Sequence, residues 1–136
     1  MAIKFQIDEE LKEKAEDIVK TLPDFSHVDL NRVIFMRSRG SSARGTIARC
    51  YGLSKIWQIA LNTKAHYVIE VISEKYDRLS EEEKIKTLIH ELMHIPFSFG
   101  GGFKHHSNWV TERRVNRMYD NYIKKKKSTS FPDSII

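Results

Sequence analysis

Three stretches of the chain place apolar residues three or four positions apart, which is the spacing of a helix with one buried face. The first follows Asp8, a good N-cap residue, and ends at Pro23, which cannot continue a helix. The second follows Ser80, which begins a capping box. The third is expected to start near Ser107 or Asn108. The pattern predicts one N-terminal helix and two helices in the second half of the chain.

Between the first two helices, runs of β-branched and aromatic residues predict strands. We expect four of them, at residues 28–36, 46–51, 55–61 and 66–72. In the run from Lys55 to Leu61 the apolar residues alternate, so at least one face should be buried. The run from His66 to Ile72 is the clearest strand. Together these elements predict an α+β fold with a small mixed or antiparallel sheet of about four strands.

The composition is that of a soluble globular protein, with 136 residues of which 40% are hydrophobic and 30% are charged. We expect one domain at residues 1–127 and a loosely ordered tail at 128–136. No apolar run approaches the length of about 18 residues that a membrane span needs, and the N-terminus lacks the apolar core of a signal peptide. These features predict a cytoplasmic protein without a membrane partner.

Charge and cysteine content limit the binding partners and the kinds of metal site that the chain can have. The formal net charge is +5, and much of it comes from the run Lys124 to Lys127. Such a run is usually a solvated helix end, although it could contact nucleic acid weakly. Cys50 is the only cysteine, which excludes an internal disulfide and a cysteine-based zinc site. We expect Cys50 to be a small buried residue in a strand.

The motif His90-Glu91-Leu92-Met93-His94 carries the candidate chemistry. On a helix, His90 and His94 lie one turn apart on the same face, where both imidazoles can bind one zinc ion. Glu91 is out of register with that pair, so it suits a carboxylate that takes a proton from a metal-activated water. Catalytic zinc usually has three protein ligands and a water, so a third ligand must come from elsewhere. Three glycines at 100–102 permit a turn that can bring His105 or His106 back to the helix.

The segments His90 to Pro96 and Gly101 to His106 resemble poorly characterised metallopeptidases of archaea and phages. The resemblance covers roughly residues 30 to 115, and more distantly the layout is similar to SprT-like proteases. It implies a zincin-type α+β fold in which a mixed sheet packs on the active-site helix. It also implies one zinc ion per chain, with His90 and His94 as ligands and Glu91 as the general base.

The resemblance leaves three options for the third zinc ligand. The archaeal and phage pattern selects His106, which we favour. The SprT-like pattern can be fitted with either His105 or His106. A third option is Glu112, which lies at nearly the spacing of the glutamate ligand in thermolysin-like enzymes, although the residues around it do not match that family well.

The favoured function is a zinc-dependent metallopeptidase that hydrolyses peptide bonds in a protein or peptide substrate. An extended substrate could add to an exposed sheet edge, for which we expect the strand at residues 66–72. One alternative is a zinc-dependent endoribonuclease similar to the bacterial rRNA-maturation enzymes, whose motif has glycine where this chain has Glu91. Another is a non-catalytic module that binds zinc or nucleic acid, which would need a site closed by four ligands.

Overall fold

The structure is a computed structural model, and it describes residues 2–41, 44–104 and 108–129. These residues form a mixed α+β fold with a four-stranded sheet and five α-helices. The strands are β1 (Lys4–Ile7), β2 (Val33–Arg39), β3 (Ala48–Gly52) and β4 (Tyr67–Ile72). The helices are α1 (Glu9–Thr21), α2 (Lys55–Ala60), α3 (Ser73–Tyr76), α4 (Glu81–Met93) and α5 (Glu112–Thr129). Two 3₁₀ turns, Pro23–Phe25 and Leu30–Arg32, connect α1 to β2.

Strand β4 lies inside the sheet, whose order is β1-β2-β4-β3. It runs parallel to β2 and antiparallel to β3, while β1 is antiparallel to β2. The mixed sheet of four strands is confirmed, but the expectation that residues 66–72 form an edge is wrong. Five of the six residues of β4 are buried, because neighbours on both sides and a helix layer cover the strand. The edges of the sheet are β1 and β3.

The strand predicted at residues 55–61 is wrong, because this stretch forms helix α2. The helix ends in a Schellman-type arrangement, in which Asn62 has a left-handed φ of 52° and the Thr63 N–H donates to the Gln58 carbonyl at 2.9 Å. The expected burial of one face is also wrong, since Gln58 is the only buried residue of the helix. The alternating apolar residues in this stretch therefore do not form the buried face of a strand.

The fourth strand of the sheet is β1, which the apolar pattern did not predict. All four of its residues are exposed, so no buried face marks them in the sequence. The strand pairs with the far end of β2, where Lys4 lies opposite Arg39 and Ile7 lies opposite Met36. The chain therefore begins with a short edge strand, and the expected N-terminal helix follows it.

The predicted starts of the first two long helices are confirmed by their caps. The Asp8 carboxylate accepts the Leu11 N–H at 3.1 Å, and the Ser80 hydroxyl accepts the Glu83 N–H at 3.2 Å. Helix α5 begins later than expected: the Thr111 hydroxyl accepts a backbone N–H at 3.2 Å, and the helix starts at the next residue. It continues to Thr129, and the rest of the expected tail, residues 130–136, lies outside the described residues.

The core lies between one face of the sheet and helices α1, α4 and α5. Alternate residues of the two central strands face these helices, with Phe35 from β2 and Tyr67, Ile69 and Val71 from β4 buried at 1% exposure or less. The packing fixes α4 against the sheet, and the motif lies at the end of this helix. None of the described helices combines the length and the apolar composition that crossing a bilayer requires.

Candidate metal centre

The motif lies where α4 ends. His90 and Glu91 belong to the last turn of the helix, and His94 is its C-cap residue, whose N–H donates to the Glu91 carbonyl at 3.1 Å. On the opposite side of the helix, Leu88 and Leu92 are completely buried, and burying such a side chain contributes roughly 1.5–3 kcal/mol. The rotation of α4 about its axis is therefore determined by the core.

Three side chains of the motif converge. The possible ligand atoms of His90, Glu91 and His94 all lie within 4.8 Å of one another, and the two imidazole centroids are 5.1 Å apart. A cluster of two ring nitrogens and a carboxylate oxygen could hold a metal ion. The two histidines therefore lie side by side at the end of α4.

His94 is held in one tautomer by the loop that follows α4. Its Nδ1–H donates to the Lys104 carbonyl, which puts the ring lone pair on Nε2. The Lys104 N–H donates in return to the His94 carbonyl at 2.8 Å. The Phe103 ring stacks on the imidazole at 4.3 Å between centroids, and His94 is only 2% exposed. Histidines that bind metals are usually fixed by such a bond from their second ring nitrogen.

Glu91 is buried beside the histidines, with an exposure of 6%. This burial raises the pKa of its carboxyl to about 7, because a low-dielectric environment penalises the charged form. The Glu91 carboxylate lies 3.9 Å from His90 Nε2. A cation bound by the histidines would favour the ionised form of this carboxyl. The position therefore suits a group that takes up and releases a proton near neutral pH.

The glycine loop, which comprises Gly100, Gly101 and Gly102, packs its backbone directly against the end of β3. Gly101 has a φ of +98°, and a Cβ built on it would lie 2.2 Å from the Leu53 carbonyl oxygen. A Cβ built on Gly52 would lie 2.5 Å from the Gly101 oxygen. Glycine is therefore required at both positions of this contact, and the sequence predicted the turn but not the contact.

Two polar side chains hold the glycine loop in place. The Tyr67 hydroxyl donates to the Gly102 carbonyl at 2.8 Å and accepts the Gly101 N–H at 2.9 Å. The Gln58 amide donates to the carbonyls of Gly100 at 2.9 Å and Leu53 at 2.8 Å. Neither residue was predicted from the sequence to belong to the site. The signal for Gln58 was a single polar amide within an apolar run.

Aromatic rings hold the other end of the loop. The Lys104 ammonium lies 4.1 Å from the ring centroids of Phe97 and Trp109, and the Arg114 guanidinium lies 4.4 Å from Trp109. We call Lys104, Phe97 and Trp109 the lysine clamp. It holds residues on both sides of 105–107, a segment that lies outside the described residues. The two histidine candidates for the third zinc ligand, His105 and the favoured His106, belong to this segment.

A cleft of about 980 Å³ runs past the cluster, a volume typical of ligand sites. Its walls are residues 45–51 in and before β3, one side of α4, and the start of α5. Glu112 lines the cleft, but among the described residues it is not part of the group with His90, Glu91 and His94. Cys50 also lines the cleft in a partly buried position, and burial with the nearby Glu91 charge raises the pKa of its thiol to about 12.

The free edge of β3 faces away from β4. Hydrogen bonds from Ile72 N–H to the Ile47 carbonyl at 2.8 Å and from Leu53 N–H to the His66 carbonyl at 2.9 Å set the antiparallel ladder. In such a ladder alternate residues point their backbone groups outward, here Ala48 and Cys50. The glycine loop closes this edge at Gly52. The open part of the edge therefore lies beside the cluster.

The family comparison agrees with this site. The sequence model of a family described as "Putative phage metallopeptidase" matches residues 3–127. No curated protein and no solved structure matches the chain. The resemblance to phage metallopeptidases is confirmed, and the family description together with the His90, Glu91 and His94 cluster suggests a metal-dependent peptidase. Since the match covers almost the whole sequence, the chain belongs to this family of phage metallopeptidases.

Proposed function

We propose that the protein is a zinc-dependent peptidase with a zincin-like active site, in which His90 and His94 bind zinc and Glu91 is the general base. The observation that carries this proposal is the cluster itself, three potential ligand or base atoms within 4.8 Å on the wall of a 980 Å³ cleft. The family description supports peptide hydrolysis over other reactions.

The residues present fit zinc. Two imidazoles and oxygen donors are ligands that zinc accepts. The bond from His94 Nδ1 to the Lys104 carbonyl places the ring lone pair on Nε2, which is the arrangement of many metal-binding histidines. Because His94 is almost completely buried, its ring has little room to change its orientation. Both observations support a preformed site.

In the proposed mechanism, the zinc ion and the side chain of Glu91 have separate roles. A bound zinc ion would act as a Lewis acid that lowers the pKa of water and polarises the scissile carbonyl. Glu91 accepts the proton of the attacking water and delivers it to the leaving amine. Its burial limits the access of bulk water to this transfer, and its carboxylate lies 3.9 Å from Nε2 of His90, a proposed zinc ligand.

We propose His106 as the third zinc ligand, with His105 as the alternative and Glu112 as the least favoured. The support is that the backbone of Lys104 is bonded to His94 in both directions. Consecutive Cα atoms are about 3.8 Å apart, which limits how far from Lys104 the next two residues can lie. Metal content of the His105→Ala and His106→Ala variants distinguishes the candidates.

The substrate is proposed to bind as an added strand along β3, which replaces the expectation for residues 66–72. The backbone groups of Ala48 and Cys50 point to the free edge, and the cleft runs beside them. Backbone pairing at an edge binds extended peptides with little dependence on their side chains. An unfolded protein segment is therefore the proposed substrate class.

The Glu91→Gln variant tests the proposal, because Gln keeps the shape of the side chain but cannot act as a base. We expect the variant to bind one zinc per chain and to cleave an unfolded protein at least about 100-fold more slowly. His90→Ala should lose the zinc. Unchanged proteolysis in Glu91→Gln would exclude the mechanism, and RNA cleavage that survives Glu91→Gln but needs His90 would support the endoribonuclease alternative.

A further inference from the structure

Helix α2 is an exposed apolar projection. Its large side chains are mostly in solvent: Ile56 is 70% exposed, Trp57 57%, Ile59 68%, and Leu61 at the helix end 59%. Exposed apolar patches larger than a few hundred Å² mark interaction sites, and the largest patch on a monomeric protein is often functional. Four such side chains within six consecutive positions make a patch of roughly this size.

Hydrogen bonds of Gln58 attach the projection to the rest of the protein. The Gln58 amide bonds to the carbonyls of Leu53 and Gly100, and the Gln58 carbonyl accepts the Thr63 N–H at 2.9 Å. These bonds attach the helix by its only buried side chain. The apolar side chains consequently stand on the outside of a fixed element, so their exposure is a property of the fold.

The shape of the projection favours a partner that surrounds it. With 3.6 residues per turn, Ile56, Trp57, Ile59 and Leu61 point to every side of the helix except the one that carries Lys55 and Gln58. A flat protein surface covers only one stripe of a helix. The interface of a bilayer covers an inserted helix on all of its apolar sides, to a depth of about 5–10 Å.

The basic residues at the two ends of α2 indicate that its partner carries negative charge. Residues 53–64, which comprise α2 and its flanks, contain Lys55 and Lys64 and no aspartate or glutamate. Lys55 and Lys64 are exposed at the two ends of the projection. A second copy of the chain would place these charges against identical ones, without a carboxylate in this segment to neutralise them. Anionic phospholipid headgroups supply the opposite charge.

We propose that α2 docks the protein onto bilayers that contain anionic phospholipids. Trp57, Ile56 and Ile59 enter the boundary between headgroups and acyl chains, and Lys55 and Lys64 contact the phosphates. Because Gln58 joins α2 to the glycine loop, docking holds the catalytic cleft near the lipid surface. The docking does not depend on the proposed peptidase activity, and it replaces the expectation that the protein has no membrane partner.

Sedimentation of the full chain with vesicles tests this proposal, using phosphatidylcholine alone and phosphatidylcholine mixed with phosphatidylglycerol. We expect binding to the mixed vesicles, at least about tenfold weaker in the double variant Ile56→Ser/Ile59→Ser. Lys55→Gln and Lys64→Gln should each weaken binding by roughly fivefold. Trp57 fluorescence should shift to the blue with mixed vesicles, and a Trp57→Phe variant should lose this shift.

Ile7→Ser is the matched control, because Ile7 is also an isoleucine with 59% exposure but lies on β1. It should bind vesicles like the parent, and circular dichroism should show that all variants are folded. The proposal is overturned if the parent does not bind mixed vesicles, or if the double variant binds as well as the parent. If vesicle binding is absent, two other results would identify a different partner for α2. A concentration-dependent dimer that requires α2 would assign the helix to a second copy of the chain, and binding to an unfolded protein that requires α2 would assign it to that protein.

Discussion

His94 and Lys104 are bonded to each other in both directions: the imidazole Nδ1–H donates to the Lys104 carbonyl, and the Lys104 N–H donates to the His94 carbonyl. One pair of bonds therefore orients a candidate metal ligand and attaches the return of the glycine loop to the end of α4. The ammonium of the same lysine lies between the rings of Phe97 and Trp109. Lys104 is thus a positioning residue, whose side chain fixes a backbone that in turn fixes His94.

The lysine clamp should affect zinc affinity without contacting zinc. Removing the ammonium in Lys104→Ala takes away two cation–π contacts, each worth about 0.5–1 kcal/mol at a partly exposed site. We expect the zinc affinity to fall about fivefold to thirtyfold. A competition titration with a chromophoric chelator measures this change, and the visible spectrum of the cobalt-substituted protein should broaden.

Two further variants distinguish positioning from a general loss of stability. Lys104→Arg keeps a cation over both rings and should restore most of the zinc affinity. Lys84→Ala removes an ammonium that lies over the Tyr76 ring at 5.7 Å, away from the histidines, and should leave zinc affinity unchanged. Equal losses in Lys104→Ala and Lys84→Ala would contradict the role of the clamp.

The contact between the glycine loop and β3 should tolerate no side chain. Gly101→Ala combines a left-handed φ of +98° with a Cβ 2.2 Å from a carbonyl oxygen. Gly45→Ala has a similar φ of +72° but no atom within 4 Å of the new Cβ, so it measures the backbone strain alone. We expect Gly45→Ala to lower the free energy of unfolding by about 1 kcal/mol, and Gly101→Ala to lower it by about 1–3 kcal/mol more.

Urea unfolding of the two variants measures this difference, and zinc affinity should fall only in Gly101→Ala. Two variants of equal stability would show that the loop yields to the methyl group. In that case the close packing of Gly101 on Leu53 would not be what holds the loop.

The three long helices were predictable from the sequence because their signals are local. Asp8 and Ser80 act as N-caps where the pattern places them, and the apolar stripe of α4 is the buried one. The pairing of His90 with His94 needs only helix geometry, so the cluster could be predicted before the fold was known. Such features require no knowledge of which strands are neighbours.

The errors concern elements whose character depends on distant contacts. The apolar alternation in α2 resembles a strand, but a polar anchor at Gln58 and the left-handed Asn62 make it a projecting helix. Strand β1 has no buried face, so its pairing with β2 left no pattern in the sequence. The order of the strands determines which strands form the edges of the sheet. The sequence of β4 contains no signal that β3 pairs with it and forms the edge in its place.

Asp8 should make stability depend on pH. Burial raises the pKa of this carboxyl, but hydrogen bonds from Arg37 at 2.8 Å and from the Leu11 N–H outweigh it, so the pKa lies below the usual 3.8. A carboxyl whose pKa is lower in the folded state stabilises the protein above its unfolded pKa. This stabilisation is lost as the pH falls through the folded pKa.

The Asp8→Asn variant isolates this contribution, because Asn caps a helix as well as Asp does but cannot pair with Arg37 as an anion. At pH 7 we expect its free energy of unfolding to be about 1 kcal/mol lower than that of the parent. The difference should shrink below about pH 4 and vanish once Asp8 is protonated in the folded protein. A difference that is constant across the range from neutral to acidic pH would contradict the assignment.

The free edge of β3 should bind the substrate through backbone groups. The N–H of Ala48 points away from β4, so proline at this position leaves the sheet ladder intact and removes only an outward donor. We expect Ala48→Pro to fold and to bind zinc like the parent. Its kcat/KM on an unfolded protein should be about fivefold to tenfold lower, the effect of losing one hydrogen bond of about 1 kcal/mol.

The matched control is Ala48→Val, which adds side-chain bulk at the same position but keeps the N–H. If the edge binds substrate, kcat/KM in Ala48→Val should stay within about twofold of the parent, so that the loss follows the N–H. The loss should also appear mainly in KM, because an edge bond forms in the bound substrate and persists through the reaction. Equal kcat/KM in Ala48→Pro and the parent would place the substrate elsewhere in the cleft, against the α4 and α5 walls that face β3 across His90 and His94.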